Sequence, residues 1–265
     1  MTALSAALAL GAAHGLPATD PLVLLDGSNL LVHLWPAPVV VRVATFTALI
    51  RRDPLPFLQR EVSLASYLAD VGAAVVPPAD ELPPGPHLVD GWWMTAWRHV
   101  PHDPAIVPTA RELLPALDVL HGALAGYDGE LPFLGPATSD LDLALACCVE
   151  HGLQPVESAA VMRAQRDELL AVVGTLPRVA QHGDAHPRNV LVTTRGFVWN
   201  DFEDCCAGSP LWDLATLARR DESGEVAAVA RSRFGSSLFE AMAALRGLQA
   251  ETWTLLHQSR AAGRI

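Results

Sequence analysis

The sequence predicts an α+β protein whose first part is rich in strands and whose second part is mostly helical. Short β-branched runs separated by turn residues dominate residues 1–97, whereas apolar residues at helical spacing dominate residues 98–265. We therefore expect two lobes: a small antiparallel-sheet lobe over residues 1–97, and a helical lobe over residues 98–265.

The elements of the first lobe follow from local patterns. Residues 1–16 are apolar but lack a basic n-region, which predicts a short opening helix instead of a signal peptide. A helix is expected over residues 56–71, where Leu58, Val62 and Ala65 share one face. Strands are expected at residues 22–25, 30–34, 39–43, 74–76 and 88–97.

The second lobe contains longer periodic segments. Leu113, Leu117, Leu120 and Leu124 recur at helical spacing and predict a helix there. Further helices are expected at residues 141–150, 157–173, 213–220 and 238–257. Between the helices expected at residues 157–173 and 213–220, residues 190–193 and 197–200 predict a small hairpin.

Composition excludes some classes of function. The net charge of −11 argues against nucleic-acid binding, which needs clustered basic residues. Acidity leaves room for a cationic substrate, although it is also a common device for solubility. No apolar run reaches about 18 residues, so no membrane span is expected. The cysteines form two vicinal pairs, 147–148 and 205–206, which we interpret as reduced thiols of a cytoplasmic protein.

The strongest functional signal is a pair of ordered motifs. Asp184 precedes Asn189 by the interval that separates the base from the metal-binding Asn in the pattern H-R-D-x-x-x-x-N. Asp201-Phe202 then repeats the D-F step that follows downstream in that pattern. Phosphoryl transfer needs a carboxylate near the acceptor hydroxyl and oxygen ligands for Mg²⁺, and this spacing supplies both.

These motifs, together with residues 208–215 (Gly-Ser-Pro-Leu-Trp-Asp-Leu-Ala), resemble the aminoglycoside phosphotransferase family of small-molecule kinases. The resemblance implies a bilobal, protein-kinase-like fold. It also implies ATP or GTP as the co-substrate with Mg²⁺, and a small hydroxylated acceptor. The net acidity favours an aminoglycoside or another cationic metabolite as that acceptor.

The resemblance also assigns roles in the motif region. Asp184 would be the catalytic base, and Asn189 and Asp201 would bind the metal ions; as isolated residues, each would read as an ordinary turn residue. His182 and Asp213 would support the catalytic loop. Three further residues either face the substrate or simply belong to the loop and an acidic turn: His186, Glu203 and Asp204.

In the first lobe, Arg42 stands where kinases place a phosphate-binding Lys, and Glu61 stands where its helix partner belongs. The chain has no lysine. The guanidinium group of Arg is planar with several donors in fixed directions, whereas the ammonium group of Lys is a compact charge. The nucleotide-covering turn would contain Gly27, Ser28 and Asn29, although a plain hairpin turn explains these residues equally well. The backbone of Thr95 and Trp97 would bind adenine at the hinge between lobes.

Two other functions stay open. A degenerate kinase fold that binds nucleotide and regulates a partner would explain the missing Lys, but it has no need of Asp184. A metal-dependent hydrolase could use the cluster His182-x-Asp184-x-His186 as ligands, but it leaves Asn189 and Asp201 unexplained.

Overall fold

The computed structural model describes all 265 residues. The helices are α1 (Ala3–Ala13), α2 (Phe46–Ile50), α3 (Leu55–Asp70), α4 (Leu114–Leu124), α5 (Ser139–Glu150), α6 (Val156–Val173), α7 (Leu211–Ala218), α8 (Glu225–Phe234) and α9 (Ser236–Ala261). The strands are β1 (Leu22–Asp26), β2 (Asn29–His33), β3 (Val39–Ala44), β4 (His87–Val89), β5 (Trp92–Arg98), β6 (Val179–Gln181), β7 (Val190–Thr193), β8 (Gly196–Trp199) and β9 (Cys206–Gly208).

The chain forms two compact units. Unit 1 comprises Met1–Ile106 and Val190–Glu203, and unit 2 comprises Val107–Asn189 and Asp204–Ile265. The sequence-based division lay at residue 97 and treated each lobe as continuous. In the structure the first segment of unit 1 extends to Ile106, and the β7–β8 hairpin also belongs to unit 1.

Unit 1 is built on a five-stranded antiparallel sheet in the order β1-β2-β3-β5-β4. Its central strand β3 is buried at every position, as expected for a Val-rich strand covered on both faces. Helix α1 packs on this sheet through Ala6, Ala7 and Leu10, and the small side chains of the two alanines allow close approach. The core therefore lies between α1 and the middle strands.

Helix α3 brings one acidic residue onto a buried face. Leu58, Glu61, Val62 and Ala65 recur at the spacing of a single helical stripe, and all four are buried. The stripe is otherwise apolar, so Glu61 is held inside unit 1 and must find a polar partner there.

Unit 2 is organised around the long helix α9, which packs against α5, α6, α7 and α8. Leu141 and Leu145 of α5, Ala159 of α6 and Leu248 of α9 form one of its apolar clusters. The short strands β6 and β9 pair antiparallel; β6 ends just before residues 182–189, the predicted catalytic loop, and β9 ends just before α7. This pairing fixes the two ends of the motif region within the helical unit.

The α+β class and the main helices predicted from periodicity are confirmed. The single strand predicted over residues 88–97 is wrong, because Asp90 and Gly91 form a turn with positive φ values that separates β4 from β5. The strand predicted at residues 74–76 is reduced to one bridge between Val75 and Trp199. Helices α2 and α8 were not predicted.

The four cysteines are free and buried, and burial raises the pKa of the Cys148 thiol to about 11. No helix combines the length and the apolar character needed to span a bilayer.

Candidate active site

The polar cluster of unit 1 is centred on Arg42, which lies within the buried strand β3. Because water cannot solvate the guanidinium there, it must be paired inside the protein. Its Nη1 lies 2.5 Å from Glu61 Oε2, and its Nη2 lies 3.1 Å from Asp201 Oδ1. The structure thus brings Arg42, Glu61 and Asp201 together.

Glu203 completes this cluster. It forms ion pairs with Arg42 and with Arg51, whose Nη1 is 3.3 Å from Glu203 Oε2. The sequence left open whether Glu203 faces the acceptor or belongs to an acidic turn, whereas its side chain turns to these two arginines and is only 13% exposed. Arg51 was not identified from the sequence, because the run Arg51-Arg52-Asp53 resembles an ordinary charged turn.

Burial and charge oppose each other in this cluster. Burial raises the pKa of Glu61 to about 8, and the charge of Arg42 only partly counteracts this shift. Burial also disfavours ionised Glu203, but Arg42 and Arg51 outweigh it and lower the pKa of that carboxyl. Burial lowers the pKa of Arg42, but the charges of Glu203, Glu61 and Asp201 prevail and raise it. Arg42 is therefore a permanent cation.

Asp201 has an unusual backbone. It is the second residue after the end of β8 and adopts a φ of +62°, in the left-handed region that non-glycine residues seldom occupy. Its side chain is 38% exposed, in contrast to the buried Arg42 and Glu61. Asp201 is thus the carboxylate of this cluster that an external cation can reach most easily.

The predicted nucleotide-covering turn joins β1 to β2. Gly27 and Ser28 form the turn, and the Ser28 carbonyl accepts hydrogen bonds from the Thr47 amide and the Thr45 hydroxyl. Asn29 begins β2 and is oriented with its amide oxygen 2.6 Å from Arg42 Nη2. The opposite orientation would set the amide NH₂ against guanidinium donors. Asn29 therefore helps to hold Arg42.

The predicted adenine contacts at Thr95 and Trp97 do not survive in the structure. The Ala96 amide donates to the Pro84 carbonyl at 2.9 Å, and its carbonyl accepts from Ala79 at 3.1 Å. Since backbone groups alternate in direction along a strand, those of Thr95 and Trp97 point to β3 and belong to its ladder. Their backbone is therefore occupied, and a hinge contact would have to come from residues after β5.

The catalytic-loop cluster of unit 2 contains Asp184 and Asn189. Asn189 Nδ2 donates to the Asp184 carbonyl at 3.0 Å and lies 3.4 Å from its carboxylate. The Asn189 amide oxygen accepts no hydrogen bond, so it remains available as a ligand. Amide and carboxylate oxygens are the donors that Mg²⁺ prefers, so Asn189 in unit 2 and Asp201 in unit 1 are each, taken separately, of a chemical type that suits this ion.

Helix α7 holds this loop through its first turn. Asp213, which is fully buried, accepts hydrogen bonds from the amides of His182 and Gly183, each at 3.0 Å. Trp212 Nε1 donates to the Gly183 carbonyl at 2.7 Å, and His121 Nε2 lies 3.0 Å from Asp213 Oδ2. These bonds fix the backbone directly before Asp184. His121 and Trp212 are contacts that sequence analysis did not identify.

Gly183 allows the loop to pass close to the next segment of unit 2. Its φ is +90°, and a Cβ at this position would lie 1.8 Å from the Asp204 carbonyl oxygen. Only glycine satisfies both conditions. Asp204, predicted to face the substrate or a turn, therefore packs its backbone against the catalytic loop.

The Asp184 carboxylate is bound by basic side chains. Arg246 Nη2 lies 2.5 Å from its Oδ1, and His186 Nε2 lies 3.2 Å from its Oδ2. Burial disfavours the ionised carboxylate, but Arg246, His186 and His182 outweigh burial and lower its pKa. Asp184 is therefore an anion at neutral pH, suited to accept a hydrogen bond.

Arg246 was not identified from the sequence, although its position within an apolar helical pattern was a signal. It lies on the buried stripe of α9 with Met242, Leu245 and Gln249, where an arginine is out of place unless it has a partner. A charged residue at an apolar helix position is thus the pattern that could have revealed it.

Comparison with known proteins identifies the family of the chain. The sequence profile described as phosphotransferase enzyme family (APH) matches residues 12–248. No curated protein sequence matches the chain.

Solved structures share the fold. A choline kinase from Streptococcus pneumoniae is 15% identical, with 97% of this chain and 92% of that chain covered and a TM-score of 0.64. An amicoumacin kinase in complex with AMP-PNP and Ca²⁺ is 15% identical, with coverages of 90% and 81% and a TM-score of 0.63. A thermostable mutant of an aminoglycoside phosphotransferase is 18% identical, with coverages of 96% and 95% and a TM-score of 0.61.

The family profile spans most of the chain and includes both polar clusters, and the solved structures that share the fold are small-molecule kinases. The chain therefore belongs to the phosphotransferase enzyme family.

Proposed function

We propose that the protein transfers the γ-phosphoryl group of ATP or GTP to a hydroxyl group of a small molecule. The observation that carries this proposal is the loop geometry around Asp184. The carboxylate is ionised, its backbone is anchored by Asp213, and Asn189 is bonded to it with an oxygen left for a ligand.

Asp184 orients the acceptor. An ionised carboxylate accepts a hydrogen bond from the hydroxyl and aims its oxygen at the γ-phosphorus. The proton passes to Asp184 as the new P–O bond forms and the bond to the β-phosphate oxygen breaks, which releases the nucleoside diphosphate. A base of low pKa suffices, because the loose transition state of phosphoryl transfer demands little activation of the nucleophile. The low pKa of Asp184 is thus compatible with catalysis.

Asn189 and Asp201 would hold Mg²⁺, which neutralises charge on the nucleotide phosphates when bound. These two residues flank the β7–β8 hairpin in the sequence. Arg42 would contact the phosphates, with Glu61 fixing its direction. AMP-PNP and Ca²⁺ in one solved structure, and GDP with kanamycin in another, support a nucleotide and a divalent ion without favouring adenine or guanine.

A nucleotide-binding regulator without turnover is the second candidate. One observation favours it: Arg42 is engaged by Glu61, Asp201 and Glu203, so it must exchange a carboxylate for a phosphate to act. A metal-dependent hydrolase is less well supported, because no group of three His, Cys, Asp or Glu side chains is arranged to hold a metal ion.

The experiment combines nucleotide binding with turnover. Melting temperatures are measured with ATP and GTP, with and without Mg²⁺, for the wild type and Asp201→Ala. A ligand at a hundred times its dissociation constant adds about 2.7 kcal/mol, or roughly 5–10 °C. A shift that requires Mg²⁺ and is lost in Asp201→Ala supports the nucleotide site, whereas no shift with any nucleotide rejects it.

Asp184→Asn separates the two candidates. A kinase should lose phosphoryl transfer by at least about 100-fold and retain the nucleotide-dependent shift. Unchanged nucleotide turnover in Asp184→Asn would reject the catalytic role of that carboxylate.

A further inference from the structure

Arg246 has donors that the protein does not use. Its Nη2 is bonded to Asp184 and its Nε donates to the Thr216 hydroxyl at 3.0 Å, while the guanidinium carbon lies 5.8 Å from the centre of the Trp212 ring. The side chain is nine-tenths buried, and its Nη1 donates to no acceptor in the structure. A buried guanidinium held on one side only is ready to bind a further acceptor.

A second cation lies beside it. Arg219, at the end of α7, extends across Gly247, the residue after Arg246: a Cβ on Gly247 would lie 3.6 Å from Arg219 Nη1. Arg219 is exposed and forms no ion pair. Burial of part of its side chain and the charge of Arg246 lower its pKa, and Glu251 opposes this only in part. Arg219 and Arg246 thus lie close together, and the nearby carboxylate of Glu251 only partly offsets their mutual repulsion.

The basic groups next to Asp184 contrast with the net charge of the whole chain. The net charge is −11, yet Arg246 is the charged group that acts most strongly on Asp184, followed by the imidazoles of His186 and His182. A cationic acceptor would have to place its ammonium group beside Arg246, where like charges repel it. An acceptor that carries a negative group would instead find unused guanidinium donors.

We propose that Arg246 and Arg219 bind an anionic group, a carboxylate or a phosphate, of the acceptor whose hydroxyl is phosphorylated at Asp184. This rests on the proposed phosphotransferase function and names its substrate class: a hydroxy acid or a phosphorylated alcohol, not a polycation. Arg forks pair with carboxylate and phosphate oxygens in a fixed geometry, so the same contact also orients the hydroxyl. Arg246 then has two tasks, since it positions both Asp184 and the acceptor.

Simple anions test the site without knowledge of the acceptor. Melting temperatures are measured with inorganic phosphate, malonate and choline for the wild type, Arg219→Gln and Arg231→Gln. Arg231 is a matched control in unit 2, where it pairs with Glu240 on the surface. Arg219 is exposed and does not touch Asp184, so its replacement leaves the fold and the loop in place.

The expected result is a rise of about 2–4 °C with one of the two anions in the wild type and Arg231→Gln, reduced by at least half in Arg219→Gln. The anion with the larger Arg219-dependent shift identifies the group as phosphate or carboxylate. An equal shift in all three proteins means that the anion binds elsewhere and overturns the proposal. A larger, Arg219-independent shift with choline also overturns it.

A parallel series with Mg²⁺ and ADP distinguishes this proposal from the function on which it rests. If ADP stabilises all three proteins and neither anion gives an Arg219-dependent shift, the kinase function stands and the anionic acceptor is rejected. If an anion gives that shift and ADP gives none, the anion site stands and the nucleotide-dependent function fails.

Discussion

Arg42 is the residue on which the charge balance of unit 1 depends. It pairs with Glu61, Asp201 and Glu203, and Arg51 pairs with Glu203 as well. Arg42→Met should lower the free energy of unfolding by about 3–5 kcal/mol, because it leaves buried carboxylates without their cation. Urea unfolding measures this change.

Two further variants interpret that result. Arg98→Met breaks a half-exposed ion pair with Asp80 and should cost less than about 1 kcal/mol. The double variant Arg42→Met/Glu61→Met should recover part of the loss, since it removes a buried carboxyl group that has lost its hydrogen-bond partner. A cost for Arg42→Met no greater than that for Arg98→Met would contradict this account.

Gly183 sets the path of the catalytic loop. Gly183→Ala combines a φ of +90° with a Cβ 1.8 Å from the Asp204 carbonyl oxygen, so the backbone must move. We expect a loss of more than about 2 kcal/mol in stability together with a loss of turnover. Gly196→Ala is the control: its φ is +114° but nothing lies within 4 Å, so it measures backbone strain alone. Equal costs would show that the close approach is relaxed in solution.

Residue types and spacing predicted several of these groups and the pairing of Arg42 with Glu61, but not their other partners. Asp184, Asn189 and Asp201 belong to motifs with fixed intervals, so the sequence is sufficient to find them. The partners Arg51 and Arg246 come from distant segments, and no local interval relates them to the loop. The preference of Glu203 for arginines over the acceptor depends on the same long-range packing.

Helix α7 acts as a clamp on the catalytic loop through its first turn. Asp213→Asn keeps the size of the side chain but offers one acceptor oxygen instead of two, so one of the His182 and Gly183 amides loses its partner. We expect kcat to fall by about 100-fold with little change in nucleotide affinity, since a displaced loop misaligns Asp184. Steady-state kinetics and the ADP-dependent melting shift separate the two effects.

Asp118→Asn serves as the matched control for that clamp. Asp118 pairs with Arg233 between α4 and α8 at the surface and forms no hydrogen bond with the loop. Its replacement should change kcat less than about twofold, because an exposed pair contributes little. A kcat for Asp213→Asn within a few-fold of the wild type would mean that Trp212 alone holds the loop.

At the scale of elements, prediction succeeded where periodicity was long and failed where tertiary pairing decides. Helices α3, α6 and α9 are 16, 18 and 26 residues long, and their predicted positions are close to those observed. The strand over residues 88–97 was read as continuous, although Asp90-Gly91 is a strong hairpin signal. Strands β6 and β9 are each only three residues long and form only by pairing with each other.

At the scale of the whole molecule, two compact units are made from a chain that crosses between them more than once. The return of the β7–β8 hairpin to unit 1 was not predicted, because the local sequence of a short hairpin does not specify the surface against which it packs. The sequence therefore predicts the two classes of unit but not their segment boundaries.

The pH dependence of stability should combine opposing shifts from the two units. The pKa values of Asp184 and Glu203 are lowered in the folded protein, so their stabilisation is present near neutral pH and is lost as the pH falls through the folded values. The pKa of Glu61 is raised to about 8, so the folded state keeps a proton that the unfolded chain releases above about pH 4.5. Its contribution is lost as the pH rises through about 8.

The free energy of unfolding should therefore have its maximum at mildly acidic pH and decline on both sides. Glu61→Gln keeps a neutral side chain at every pH, so it should flatten the decline between about pH 5 and 8 without altering the acid side. Urea unfolding at several pH values measures both curves, with Glu240→Gln, an exposed residue of α9, as the control. Parallel curves for the wild type and Glu61→Gln would mean that Arg42 keeps Glu61 ionised. The three carboxylates of the cluster would then exceed its two arginines by one negative charge.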